Sequence, residues 1–94
     1  MTVAYQDAIT SALNRAGLPA NARAFVFGSS TRSDVFHDID LGIIGAGKAP
    51  EAIVAARDEL YDAPIPYKVD VVDFDHVDKD FASYVFRLFY FIVL

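Results

Sequence analysis

The sequence predicts a small α/β or α+β domain, with a mixed sheet of three to four strands flanked by helices. Two observations point to this fold class. Two segments carry apolar residues at spacings of three and four, as amphipathic helices do. Three other short runs are rich in β-branched and aromatic residues and are bounded by Gly, Pro or polar turns, as strands are. A chain of 94 residues can bury one core, so we expect residues 1–94 to form a single domain.

The first helix is predicted over residues 2–16. Its apolar stripe consists of Tyr5, Ala8, Ile9, Ala12, Leu13 and Ala16. Gly17 suits the position after the last turn, where a left-handed backbone strains glycine little, and Pro19 prevents the helix from continuing. A second helix is predicted over residues 50–61, because Pro50 fits a first helical turn. The stripe of this second helix is formed by Ile53, Ala56 and Leu60.

Three strands complete the predicted order of helix, strand, turn, strand, helix, strand. They are AFVF at 24–27, DIDLGII at 38–44 and YKVDVVDF at 67–74. The polar stretch after Gly28 is predicted to be a loop, and DHVDKDFASYVF to hold a short helix or an irregular turn. The final residues, YVFRLFYFIVL, carry a single charge. We expect this apolar tail to be partly buried and to form a contact with a second subunit or a partner.

Composition excludes several classes of function. The net charge is −5 and the eight Lys and Arg residues are scattered, whereas a surface that binds DNA needs clustered cations. The absence of cysteine excludes disulfides, thiolate metal sites and a cysteine nucleophile. The first residues show no signal-peptide pattern, and the longest apolar run is too short for a membrane helix. We therefore expect a cytoplasmic protein that contacts neither DNA nor a membrane.

The second predicted strand carries acids on one face only. Side chains alternate along a strand, so the isoleucines and the leucine of DIDLGII face the core. Asp38 and Asp40 face the other way, with open space expected above Gly42. In the third predicted strand, Lys68 and Asp70 share one face. If this strand lies beside the second, Asp70 lies next to the other two aspartates.

Three carboxylates in such proximity repel one another. Two unit charges about 4 Å apart cost about 4 kcal/mol at an effective dielectric constant of about 20. Either their pKa values rise or a divalent cation binds. Oxygen ligands select Mg²⁺ or Mn²⁺, and a pair of such ions serves phosphoryl and nucleotidyl transfer. Asp38, Asp40 and Asp70 are therefore candidate metal ligands and catalytic residues.

A candidate phosphate site precedes these acids in the sequence. Gly28 and Ser29 follow a strand and open a polar turn. Backbone N–H groups at such a turn, together with the hydroxyls of Ser29 and Ser30, can hold an anion. Gly28 allows a close approach of the backbone, and Arg32 can reach a triphosphate oxygen.

The order of these features resembles the minimal nucleotidyltransferases of the DNA polymerase β superfamily. Their pattern is an apolar strand, Gly-Ser, a short gap, Asp-x-Asp in a strand and a third Asp in a later strand. The matching segments here are 25–27, Gly28-Ser29, Asp38-Ile39-Asp40-Leu41 and Asp70. The resemblance covers residues 5–75 and implies a nucleotidyltransferase fold.

The resemblance also implies the role of each matching residue. Asp38 and Asp40 would hold the metal ions on which the triphosphate of ATP lies. Asp70 would bind the catalytic metal ion and help to activate the attacking hydroxyl. Gly28 and Ser29 would hold the β- and γ-phosphates, so that pyrophosphate leaves and AMP is transferred.

The chain departs from the family pattern within the loop. Ser30 and Ser33 stand where the commonest members have an arginine and a glycine, and the gap before the aspartates is slightly shorter. These departures bear on the geometry of the loop and on nucleotide affinity, whereas the metal site keeps its full set of aspartates.

Short free-standing members of this family typically pair with a small all-helical HEPN protein, often a toxic ribonuclease. The resemblance implies an antitoxin that attaches AMP to a tyrosine of that partner, within a two-gene toxin–antitoxin pair. A second hypothesis is a catalytically reduced antitoxin that neutralises its partner by contact. A third is a structural domain whose acids form a solvated strand face.

Other polar residues are interpreted as structural. His37 and His76 flank acids and are assigned to loops. The acidic run formed by Asp73, Asp75, Asp78 and Asp80 lacks the glycine and the distal glutamate of a calcium loop, so a solvated loop is predicted. Lys48 follows two glycines, but the spacing is wrong for a nucleotide-binding phosphate loop.

Overall fold

The structure, a computed structural model, describes residues 3–28, 38–85 and 89–92. In chain order these residues form α1 (Val3–Ala16), β1 (Arg23–Phe27), β2 (Asp38–Ile44), α2 (Pro50–Tyr61), β3 (Lys68–Asp73), α3 (Lys79–Val85) and β4 (Phe89–Ile92). The helices and strands predicted from the sequence are confirmed, with small shifts at their ends. None of the described helices has the length and apolarity needed to cross a membrane.

The four strands form one mixed sheet in the order β3-β2-β1-β4. β2 and β3 run parallel and are connected through α2, whereas β1 runs antiparallel to both β2 and β4. The predicted α+β class with a mixed sheet is thereby confirmed. β4 comes from the apolar tail, and it lies at the edge of the described sheet beside β1.

The main core lies on one face of the sheet, beneath α1 and α2. Ile39, Leu41 and Ile43 of β2 are fully buried there, as their alternation predicted. The helices contribute Ile9, Ala12, Leu13, Ile53, Ala56 and Leu60. Each large aliphatic side chain that is buried in this way contributes about 1.5–3 kcal/mol, so this layer holds the two helices on the sheet.

An aromatic cluster covers part of the opposite face. Phe25 and Phe27 of β1 are buried with Phe74 and with Val85 of α3. The ring centroids of Phe25 and Phe74 lie 4.7 Å apart, and those of Phe27 and Phe74 lie 5.4 Å apart, both edge to face. Such pairs add about 0.5–1.5 kcal/mol beyond the area that they bury. The acidic side chains of β2 therefore share their face with packed aromatic rings.

The open space expected above Gly42 is not there, and this prediction was wrong. Phe25 lies directly opposite Gly42 in the antiparallel register of β1 and β2. Its ring covers the glycine so closely that a Cβ atom at position 42 would lie 2.7 Å from Cε1 of Phe25. Gly42 therefore makes room for an aromatic ring of the core, and not for a ligand.

The acidic segment after β3 is exposed at Asp75, Asp78 and Asp80, as predicted, and Asp75 in addition holds two turns together. The carboxylate of Asp75 accepts hydrogen bonds from the backbone N–H groups of Gly45 at 3.0 Å and Gly47 at 2.7 Å. Gly45 has a φ of +92°, which glycine adopts without strain. Asp75 thus ties the turn between β2 and α2 to the turn that follows β3.

Two further acids of this segment have defined partners. Asp78 Oδ1 accepts a hydrogen bond of 2.8 Å from the backbone N–H of Phe81 and so caps the start of α3. Asp73 Oδ2 lies 2.6 Å from Nδ1 of His76. His76 is therefore held against the end of β3. These contacts stabilise turns at the carboxyl ends of the parallel strands.

Candidate active site

Three aspartates from two neighbouring strands meet on one face of the sheet. In the parallel register of β2 and β3, Asp40 lies directly beside Asp70, and Asp38 lies beside Lys68. Neighbouring strands are about 4.8 Å apart, so the side chains of Asp40 and Asp70 are immediate neighbours. Asp38 lies two residues before Asp40 and therefore points to the same face. The face that the three side chains share is the one opposite the aliphatic core.

The environment of Asp40 disfavours its charged form. Burial is the main cause, and the negative charges of Asp70 and then Asp38 add to it, so the pKa of Asp40 is raised above its ordinary value of 3.8. On its other side Asp40 faces Phe27, its cross-strand partner on β1. Phe27 is itself buried. A carboxylate that is partly screened from water and flanked by two others is a strong attractor for a cation.

The backbone of Gly28 lies against the carboxylate of Asp40. A Cβ atom built on Gly28 would overlap Oδ2 of Asp40, and the φ of Gly28 is +81°. Both the close approach and the left-handed backbone require a residue without a side chain. Gly28 directly follows β1, so the turn predicted to hold phosphate starts next to the central acid of the cluster.

The rest of the predicted phosphate site lies outside the described residues. Ser29, Ser30 and Arg32 belong to the stretch 29–37, as does His37. Their proposed contacts with a triphosphate stay predictions from the sequence.

Lys68 is a member of the site to which the sequence assigned no role. Its Nζ atom lies 3.2 Å from Oδ1 of Asp70, and the two side chains are 74% and 41% exposed. The available signal was the spacing, since residues two apart on a strand share a face. The sequence placed Lys68 on the acidic face, but it could not show which carboxylate the ammonium group meets.

The chemistry of the donor set fits a divalent cation. Carboxylate oxygens are the ligands that Mg²⁺ and Mn²⁺ prefer, and Asp40 lies between two further carboxylates. Among the residues described, however, no three acidic or histidine side chains converge closely enough to hold a metal ion. One carboxylate oxygen of Asp70 faces Lys68. Asp38 and Asp40 would hold the ion from β2, and Asp70 would hold it from β3.

Two surface pockets in the described part of the chain lie away from the aspartates. One, of about 720 Å³, is bounded by the end of α1, the turn around Pro19, Arg23 and β4. The other is lined by Lys48, Asp75 and His76, among others. Arg23 begins β1, whereas Phe27, the neighbour of Asp40, ends it. Both pockets therefore lie toward the opposite end of the sheet from the acids.

Comparison with known proteins connects this geometry to a family. The family described as "Polymerase beta, Nucleotidyltransferase" matches residues 9–90, a span that starts within α1, ends within β4 and includes all three aspartates and Gly28. A search of curated proteins found no match. The matched span covers most of the chain, and the resemblance seen in the Gly-Ser and Asp-x-Asp motifs is confirmed. The chain belongs to the polymerase beta nucleotidyltransferase family, and its domain is of the kind that transfers nucleotidyl groups.

Proposed function

We propose that the protein transfers AMP from ATP to a tyrosine hydroxyl of a partner protein, with Mg²⁺ or Mn²⁺ as cofactor. One observation carries this proposal. Asp40 and Asp70 lie side by side on parallel strands, on the face that also bears Asp38. Carboxylate oxygens from two strands therefore face the same space. The family match indicates that the reaction catalysed there is nucleotidyl transfer.

The reaction needs one bond to form and one to break. The acceptor oxygen attacks the α-phosphorus of ATP, and the bond from that phosphorus to the bridging oxygen of pyrophosphate breaks. Divalent cations, when bound, neutralise charge on the phosphates and supply several kcal/mol of transition-state stabilisation. In the proposed roles, Asp38 and Asp40 orient the nucleotide side of the site, and Asp70 receives the proton of the attacking hydroxyl. The N–H groups of the turn that starts at Gly28 hold the departing pyrophosphate.

The proposed partner is a small helical HEPN-type protein, which makes this chain the antitoxin of a two-gene pair in the cytoplasm. The support is the resemblance of the Gly-Ser and Asp-x-Asp motifs to those of short family members that pair with such a partner. The scattered cations and net charge of −5 favour a protein acceptor over DNA.

Transfer of AMP can be tested with the purified chain, its genetic neighbour, ATP and Mg²⁺. Pyrophosphate release and the mass of the partner are the two readouts. Asp38→Asn and Asp40→Asn should each lower the rate by at least about 100-fold, because several kcal/mol of charge stabilisation are lost with the metal ion. Asp58→Asn, which changes an exposed acid of α2, is the matched control. Full activity in both site variants would overturn the assignment.

A second function, neutralisation by contact alone, is favoured by the pairing of Asp70 with Lys68 and by the altered loop. An antitoxin of this kind would protect cells from the toxin even with Asp38→Asn and Asp40→Asn in place. Loss of protection in these variants, at unchanged protein levels, would exclude it. Phe91 of β4 is 54% exposed and is the residue through which we propose that the tail contacts the partner or a second copy.

A further inference from the structure

Lys68 is the cation that faces the acidic surface in the described structure. Its Nζ atom is 3.2 Å from Oδ1 of Asp70, and its Cα atom is paired with that of Asp38. The ion pairs formed within the described residues elsewhere join Arg15 to Glu59 and His76 to Asp73. In the part of the chain that the structure describes, Lys68 is thus the residue that forms an ion pair with one of the three aspartates.

The ion pair between Lys68 and Asp70 is weak enough to break and re-form, and it is not a permanent structural contact. The lysine side chain is 74% exposed, and ion pairs at such positions contribute only about 0–1 kcal/mol to stability. Lysine carries a compact charge on a flexible stem, so its ammonium group can leave without disturbing the backbone. A buried or bidentate arginine pair would resist such displacement.

The position of the pair gives it a consequence for cation binding. Asp70 is the single predicted ligand that comes from β3, and one of its two oxygens is occupied by the ammonium group. Because the three aspartates do not converge around a common point in the described structure, their side chains have to rearrange before they can, and a turn of Asp70 is the rearrangement that involves Lys68. Turning breaks the contact with Lys68.

We propose that Lys68 is an exchangeable counter-ion of the acidic face, which pairs with Asp70 in the metal-free protein and gives way when a divalent cation binds. This inference rests on the proposed metal site at Asp38, Asp40 and Asp70. It gives one residue two opposite effects. Lys68 relieves repulsion among the acids while the site lacks a metal ion, and it competes with the metal ion for Asp70.

The test measures Mn²⁺ binding by water-proton relaxation, without nucleotide or partner, and thermal unfolding in the presence of EDTA. Lys68→Met should bind Mn²⁺ about fivefold more tightly, the effect of about 1 kcal/mol between unit charges about 4 Å apart in water. The same variant should unfold at a lower temperature in EDTA. Lys68→Gln provides a second, polar replacement if the methionine variant fails to fold.

Two controls separate the contact from a general charge effect. Lys48→Met removes the same charge at the opposite end of the sheet and should leave Mn²⁺ affinity within about twofold. Lys68→Arg keeps a cation at the position and should not raise Mn²⁺ affinity. In an Asp70→Asn background, Lys68→Met should no longer raise Mn²⁺ affinity, because the contact that it removes is already absent.

The possible failures are distinguishable. If the wild-type protein binds no Mn²⁺, or if Asp40→Asn leaves its binding unchanged, then the proposed metal site and the role of Lys68 both fall. If Asp40→Asn abolishes binding while Lys68→Met and Lys48→Met have equal affinities, then only the inference about Lys68 is overturned. The inference about Lys68 is also overturned if Lys68→Met raises Mn²⁺ affinity by the same factor in the Asp70→Asn background as in the wild-type protein.

Discussion

Gly28 lies against the carboxylate of Asp40, so closely that a methyl group on the glycine would overlap Oδ2. The end of β1 and the middle of β2 are thereby coupled at a single contact. The absence of a side chain at position 28 determines where the central acid of the cluster can lie. Substitutions at Gly28 and Asp40 test this contact, and substitutions at Gly42 and Phe91 test the sheet around it.

Gly28→Ala should abolish Mn²⁺ binding and nucleotidyl transfer, because the new methyl group displaces the carboxylate of Asp40. Alanine at a φ of +81° also strains the backbone, by about 1–2 kcal/mol. Gly17→Ala is the matched control, since Gly17 has a φ of +74° with nothing within 4 Å of its added Cβ atom. Both variants should lose similar stability in chemical denaturation, and only Gly28→Ala should lose Mn²⁺ affinity. Equal affinities for the two variants would contradict this reading.

Asp40→Asn should stabilise the metal-free protein near neutral pH. Burial first, and then Asp70 and Asp38, raise the pKa of Asp40 above 3.8 in the folded protein. The stability contributed by protonated Asp40 is therefore fully present below its unfolded pKa and is lost as the pH rises through the raised pKa. The difference in the free energy of unfolding between Asp40→Asn and wild type should grow across that range.

This pH dependence can be measured by urea unfolding in EDTA over a series of buffers. Asp58→Asn removes an exposed acid on α2 and serves as the control for net charge. A hydrogen-bonded structural carboxylate would give the opposite sign, with Asp40→Asn less stable than wild type at neutral pH.

Gly42→Ala should destabilise the fold by about 1–3 kcal/mol, the usual range for overpacking a core. The added Cβ atom would lie 2.7 Å from Cε1 of Phe25, and the ring is fully buried with little room to move. Phe25→Leu should cost less in the Gly42→Ala background than in the wild-type protein, because the smaller side chain relieves the overlap. Additive effects in this double-mutant cycle, followed by thermal unfolding, would show that the two residues do not interact as described.

Phe91→Ser should weaken association with the partner or with a second copy while leaving the fold intact. Phe91 is 54% exposed on β4, at the edge of the sheet, and an exposed aromatic side chain at a contact surface often dominates binding. Tyr61→Ser, at the end of α2, removes a tyrosine that is 90% exposed and is the control. Analytical ultracentrifugation and partner pull-down measure the effect, and equal association of both variants would exclude β4 as the contact.

The face occupied by the aspartates could be predicted from the sequence because it follows from a local rule. The alternation of side chains along DIDLGII places Ile39, Leu41 and Ile43 together in the core and leaves the acids on the other side. The same alternation in β3 relates Lys68 to Asp70. Asp70 lies beside Asp40 only if β2 and β3 are neighbours, which the alternation does not show. The predicted helix between the two strands favours parallel pairing, because parallel strands need a long crossover connection.

Other features depend on residues distant in sequence and could not be predicted in the same way. The ring above Gly42 comes from Phe25, and only the register of β1 and β2 brings the two together. Asp75 is part of the exposed acidic run that the sequence predicted, but its contacts with Gly45 and Gly47 join turns that lie about 30 residues apart in the chain. The pairing of Lys68 with Asp70 depends on a choice of rotamer, which a strand pattern does not fix.

β3 is an edge strand of the described sheet, so Asp70 is held by fewer backbone hydrogen bonds than the acids of β2 can be. Asp38 and Asp40 lie on a strand with neighbours on both sides, whereas the backbone of Asp70 is hydrogen-bonded into the described sheet through β2 alone. Arg57 of α2 adds one tether by donating to the carbonyl of Val71 at 3.1 Å. Local opening of β3 would separate Asp70 from Asp38 and Asp40. Amide hydrogen exchange along Lys68–Asp73 would report how often that happens, and bound metal should slow it.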